Sequence, residues 1–230
     1  MENPNKEFDV EKTIREILSD SNESKCIFDR LLEKFECFSE RPVSSLGEMK
    51  RRDNKRLKGL GWEKFCQFYL SKVLQYNSVW LWNEIPENVR TYFKLKSKVD
   101  NGIDIVCMRL TENGHMQFSA VQCKYRKKTT QTVTWTTLST FIGLCAVTGP
   151  WEEHIVMTNC KGVSRKTGIP KGPKDKTIAY GTFKNLSREQ CLKSSPNEAS
   201  KYQSLNDSKP EGQPKTIEEL RAARLAKFSN

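Results

Sequence analysis

Two apolar runs joined by a tight turn constrain this chain more than any other feature. Residues 103–110, rich in β-branched side chains, and residues 116–125 read as strands, with Thr111-Glu112-Asn113-Gly114 between them. Asn-Gly accepts the positive φ angles of a hairpin, so the two strands should be antiparallel neighbours. Residues 78–84 and 154–158 read as further strands, and 177–183 as a short last one. Helical spacing separates them. Trp62, Phe65, Cys66, Tyr69, Val73 and Leu74 recur at three and four, as do Trp135, Leu138, Phe141, Ile142 and Cys145. Thr134 is placed to cap the second helix, and Gly149-Pro150 to end it. The expected class is α/β, a mixed central sheet flanked by helices.

The flanks read differently. Residues 8–38 carry Phe8, Ile14, Ile17, Leu18, Ile27, Phe28, Leu31, Leu32 and Phe35 at helical spacing, with a break near residues 19–24. This predicts a helical N-terminal appendage or a partner-binding helix. The run Lys50-Arg51-Arg52-Asp53-Asn54-Lys55-Arg56-Leu57-Lys58 resembles a nuclear-import signal, or is a solvated helix face. From 187 to 214 the composition turns to Ser, Asn, Lys, Glu and Pro, a flexible linker. Thr216 and Glu219 have capping-box spacing, and Ile217, Leu220, Arg224 and Phe228 share one side of a final helix. The expected division is an acidic helical segment (1–48), a folded domain (49–186), a linker (187–214) and an amphipathic helix (215–230). The compact part should run from about Gly59 to Asn185.

Charge narrows the partner. The 230 residues hold 39 Lys and Arg against 28 Asp and Glu, a net charge of +11. Residues 1–48 hold 7 of those basic and 12 of the acidic side chains, so the remainder carries +16. A basic body behind an acidic segment suits a polyanion, most often nucleic acid. No apolar run approaches the ~18 residues of a membrane span. The first residues are polar, without the apolar stretch of a secretion signal. The expected setting is intracellular, cytoplasm or nucleus, and neither secreted nor membrane-bound. Eight scattered Cys form no C-x-x-C pair and read as reduced core thiols.

The chemistry concentrates around the hairpin. A strand has period two, so Gln122 and Lys124 share a face and Cys123 takes the other. Pairing sets Asp104 opposite the end of the next strand, near Gln122 and Lys124. A carboxylate, an amide oxygen and an ammonium then converge beside a sheet edge. That set suits phosphodiester hydrolysis. Mg²⁺ takes oxygen ligands: Asp104 supplies charge, Gln122 a neutral oxygen, and the main-chain carbonyl of Cys123 a third ligand. A metal-bound water is a stronger nucleophile, and Lys124 is placed to orient it and offset charge on the phosphate. Glu63, beside Trp62 on the preceding helix, is a further candidate. Blander roles exist for each: a strand-end turn for Asp104, the start of a basic cluster for Lys124, a helix-dipole partner for Glu63.

An Asp on one strand and x-(Glu/Gln)-x-Lys on the next resembles the PD-(D/E)xK nuclease superfamily. The branch it looks most like is Mrr. The segments that carry the likeness are Trp62-Glu63-Lys64-Phe65, Asp100-Asn101-Gly102-Ile103-Asp104 and Gln122-Cys123-Lys124. The likeness spans roughly residues 59–160. It implies a restriction-endonuclease-like core and an Mg²⁺- or Mn²⁺-dependent DNA endonuclease of the type IV, Mrr-like kind. Its site would be Asp104, Gln122, Lys124 and Glu63. Many nucleases of this fold dimerise to cut both strands, though no sequence feature decides that here. The commonest superfamily form has an acid where Gln122 stands. A Gln weakens metal affinity unless Glu63 or Asp100 compensates, although the Mrr branch commonly has this Gln. The alternative is a catalytically inactive DNA-binding or adaptor module on the same fold.

Arg126, Lys127 and Lys128 follow directly and suit phosphates beside the cut. Lys161, Arg165 and Lys166, with Lys171 and Lys174, lie on a Gly/Pro/Lys loop that suits backbone clamping. The terminal helices are candidate contacts for a protein partner.

Overall fold

A computed structural model describes residues 8–20, 24–40, 54–95, 102–164 and 172–196. Helices α1 (Val10–Ser19), α2 (Ile27–Glu40) and α3 (Asn54–Phe68) come first, and α3 runs into a wide π-type turn, Tyr69–Val73. Strand β1 (Ser78–Leu81) leads through a 3-10 turn, Trp82–Glu84, to the short helix α4 (Glu87–Tyr92). Strands β2 (Ile105–Leu110) and β3 (Met116–Lys124) follow, then the two-residue β4 (Val133–Thr134), a 3-10 turn, and α5 (Ser139–Val147). The order closes with β5 (Glu153–Thr158), β6 (Val163–Ser164), β7 (Asp175–Ile178), α6 (Tyr180–Phe183) and α7 (Arg188–Leu192).

The hairpin forms as its sequence requires. Gly114 takes φ +78°, its N–H donates to the Thr111 carbonyl at 2.9 Å, and Ile105 pairs with Val121. The main sheet runs β1-β2-β3-β5-β7, antiparallel across β1, β2 and β3 and parallel across β3, β5 and β7. The expected mixed sheet flanked by helices is therefore what the chain adopts.

Period two divides the sheet's two cores. Ile105, Cys107, Val121, Cys123, Ile155 and Met157 face the layer of α1, α2 and α3. Trp62 ties that layer down by donating its indole N–H to the Met157 carbonyl at 3.3 Å. On the opposite side Phe93 stacks on Trp151 at 4.3 Å and meets Phe118 edge-on at 4.8 Å.

The expected N-terminal helices form, and they share the core of the domain. Phe28 is fully buried between Trp62, Phe65 and Phe183, and Ile14, Ile17, Leu31 and Phe35 join the same core. Each such side chain is worth roughly 1.5–3 kcal/mol when buried. The compact unit therefore begins well before Gly59. At the crossing of α2 and α3, a Cβ on Gly61 would sit 2.2 Å from Phe35 Cε2, so only glycine lets the helices approach this closely.

Smaller differences follow from short-range chemistry. The strand expected over 78–84 ends at Leu81, and the one expected over 177–183 becomes β7 followed by the helical turn α6. Thr134 makes no side-chain cap, and α5 starts only at Ser139. The linker expected from 187 opens instead with α7. There Ser187 and Gln190 form a reciprocal capping box, and Cys191 is buried. The remaining linker, the helix over 215–230 and the first part of the basic run lie outside the described residues. So do Asp100, Arg165, Lys166 and Lys171.

Candidate active site

Asp104 stands one residue before β2, with its main chain held on both sides. Its N–H donates to the Val121 carbonyl at 2.9 Å, and its carbonyl accepts from the Trp82 N–H at 2.8 Å. Gly102 delivers the chain to this point at φ +108°, where a Cβ would come within 3.1 Å of the Phe141 nitrogen on α5. The register then sets Asp104 across from Gln122. Asp104 Oδ2 accepts from Gln122 Nε2 and from the Cys123 N–H. Asp104 is 6% exposed and Gln122 3%. A charge so buried needs such donors, because an unpaired one would be strongly destabilising. With Nε2 turned to the carboxylate, Gln122 Oε1 is the amide atom left for a cation.

Lys124 lies two residues on, on the Gln122 face, at the end of the ladder where it pairs with Thr158. It is half-buried, and among the described residues its ammonium enters no hydrogen bond or ion pair. Glu63, half-buried on α3, approaches from the helical layer. Burial is the main cause that pushes the Cys66 and Cys123 thiols up, and the charges of Asp104 and Glu63 add to it. Both acids thus lie near enough to one thiol pair to act on it. The Cys123 side chain itself packs toward α3, so only its main chain faces the other candidates. Six of the eight cysteines are buried, as core thiols should be.

A family model described as Restriction endonuclease matches residues 71–178. The chain carries an Mrr-like, restriction-endonuclease-like domain. The matched stretch runs from β1's approach to β7 and includes Asp104, Gln122 and Lys124; Glu63 and the first two helices precede it. No curated protein and no solved structure matched the chain. Among the described residues no helix is long and apolar enough to cross a membrane.

Within the Mrr-like domain the cationic side chains divide by role. Lys127, Lys128 and Lys161 are exposed. Lys161 N–H donates to the Gln131 carbonyl at 3.0 Å and Val133 N–H to the Gly162 carbonyl at 2.8 Å, joining the two basic loops beyond β3 and β5. Arg126 bends back, its Nη1 donating to the Tyr125 carbonyl at 3.1 Å. Lys174 is committed elsewhere, to the Trp151 carbonyl.

Two features had no local sign in the sequence. Asn159, 1% exposed, bonds the main chain of Arg126 through both its amide atoms. Glu36 of α2 accepts from Lys58 Nζ and from the Tyr125 hydroxyl, 89 residues away in sequence. Burial alone would raise the Glu36 carboxyl; the Lys58 and Tyr125 hydrogen bonds and the Lys58 and Lys127 charges outweigh it and hold it below its ordinary value.

Among the described residues no cluster of three His, Cys, Asp or Glu is arranged to hold a metal. Mg²⁺ asks for less, one or two carboxylates with waters completing the shell. Asp104, the Gln122 amide oxygen and the Cys123 carbonyl form an all-oxygen donor set, which fits a hard divalent ion.

Proposed function

We propose that the domain is a divalent-metal-dependent DNA endonuclease of the type IV, Mrr-like kind. One observation carries this reading: a buried Asp104 carboxylate is braced by Gln122 and the Cys123 N–H, with Lys124, unpaired among the described residues, next on the same strand face. Asp104, the Gln122 oxygen and the Cys123 carbonyl would hold Mg²⁺ or Mn²⁺, with Glu63 adding charge from α3. When bound, such an ion supplies an activated water and offsets phosphate charge. Lys124 orients the attacking water and stabilises the negative charge that builds on the phosphoryl oxygens. Arg126, Lys127, Lys128 and Lys161, together with Arg165 and Lys166, hold flanking phosphates without reading sequence. Two copies acting together would cut both strands.

Plasmid nicking in Mg²⁺ or Mn²⁺ tests this. Lys124→Ala should lower the rate by about 100- to 1000-fold, the usual cost of removing one transition-state charge partner. Asp104→Ala should be inactive. Equal nicking by wild type and both variants would mean contaminating nuclease, and the assignment would fail.

The neutral Gln122 where an acid is commoner favours a second reading, a DNA-binding module without catalysis. Calorimetry separates the two. Salt-sensitive DNA binding with no heat from Mg²⁺ or Mn²⁺ selects the module.

A further inference from the structure

Strand β3 outruns β2 and ends level with β5. On the β2 side the last ladder pair is Ile105 with Val121, and on the β5 side it is Lys124 with Thr158. Beyond those points side chains take over the ladder. The Asp104 carboxylate receives the Cys123 N–H from one edge. From the other edge Asn159 Oδ1 accepts the Arg126 N–H and Asn159 Nδ2 donates to the Arg126 carbonyl, both at 2.7 Å. An amide presents one acceptor and one donor, the same pair that a strand residue offers, so Asn159 substitutes for a missing backbone unit. Lys124 sits between the two fastenings. Its own ammonium has no described partner to aim it. The direction of its side chain therefore depends on the main chain on either side.

We propose that Asn159 is a positioning residue for Lys124. By pinning Arg126 it holds the chain just past the end of β3, so that Lys124 stays beside Gln122 and Asp104. Asn159 is itself almost fully buried and its amide is spent on Arg126, so it acts through the strand and not on the substrate. The inference rests on the nuclease reading.

The test compares Asn159→Leu, which keeps bulk but removes both bonds, with Asn159→Asp, which keeps the acceptor and loses the donor. Steady-state cleavage should show kcat falling by about 100-fold in Asn159→Leu, the scale of a misplacement near 1 Å. Asn159→Asp should fall between it and wild type. KM and metal-free DNA affinity should change far less than kcat, because Asp104, Gln122 and the exposed lysines keep their side chains. A merely structural role would instead lower the melting temperature and the active fraction, and kcat corrected for the fraction of active enzyme would stay at the wild-type value. Amide exchange reads the clamp independently of activity: the Arg126 N–H should be protected in wild type and in Asn159→Asp, which keeps its acceptor, and exposed in Asn159→Leu. Should Asn159→Leu fail to fold, Asn159→Asp carries the kcat measurement and wild type the exchange measurement. A freely exchanging Arg126 in wild type, or unchanged kcat in the variants, would overturn the proposal. A wild type that binds DNA, protects Arg126 and never cuts would overturn the nuclease reading, and the positioning role with it.

Discussion

At Gln122 the amide nitrogen donates to Asp104. A Gln122→Glu substitution would set two carboxylates side by side and remove that donor. Leaving a buried carboxylate without its partner costs about 1–3 kcal/mol. Like charges this close raise one of the two carboxyl pKa values above its unfolded value. The folded variant therefore binds the extra proton more tightly, is most stable at acid pH and loses stability as pH rises through the raised value. A divalent cation reverses the loss by joining the two charges. The expected result is a metal-free melting temperature lower at pH 7 than at pH 5, recovered on adding Mg²⁺. A variant indifferent to both pH and Mg²⁺ would show that residue 122 does not face the cation position. Much of this geometry was legible beforehand, because a hairpin fixes which residues oppose one another and period two fixes their face. The Cys123 N–H was not, since it depends on a side chain substituting for a strand.

Helix α3 holds two glycines with opposite roles. Around Gly59 nothing lies within 4 Å of an added Cβ, whereas at Gly61 the Phe35 ring stands in the way. Gly59→Ala should therefore stabilise by about 0.5–1 kcal/mol through helix propensity. Gly61→Ala should destabilise by about 1–3 kcal/mol through overpacking, less that same helix gain. Urea unfolding of the pair gives both signs at once, and equal shifts would contradict the close crossing of α2 and α3. The same pair of helices carries a pH signature. Glu36 is held below its ordinary value of 4.5, so its contribution is present above that value and is lost as pH falls through the folded one. Glu36→Gln should thus be less stable than wild type at pH 7, and the gap should narrow in thermal melts as pH falls below 4.5. Neither contact could be read from the chain alone. An amphipathic stripe says that a face is covered and not what covers it, and Phe28 meets Phe183 from the far end of the domain. The short elements near residues 175–183 are illegible in the chain for another reason: four residues are too few to show a period.

Across the whole molecule the positive excess lies behind the first 48 residues, and the exposed Lys127, Lys128 and Lys161 stand on joined loops past the ends of β3 and β5. DNA affinity should fall with salt as counterions are released, with the log–log slope shrinking by about 0.9 for each phosphate contact removed. Lys127→Ala with Lys128→Ala should flatten the slope accordingly, as fluorescence anisotropy across a salt series would show. A wild-type slope near zero would remove DNA as the partner. Asp104, finally, both bears a charge and fastens the Cys123 main chain. Replacing it loosens the sheet edge while it empties the chemistry, so a dead phenotype from that allele has two explanations. Lys124 has no such scaffold duty among the described residues. On the proposed nuclease reading, a silent allele meant for use in living cells is better made at Lys124, which fastens no main chain.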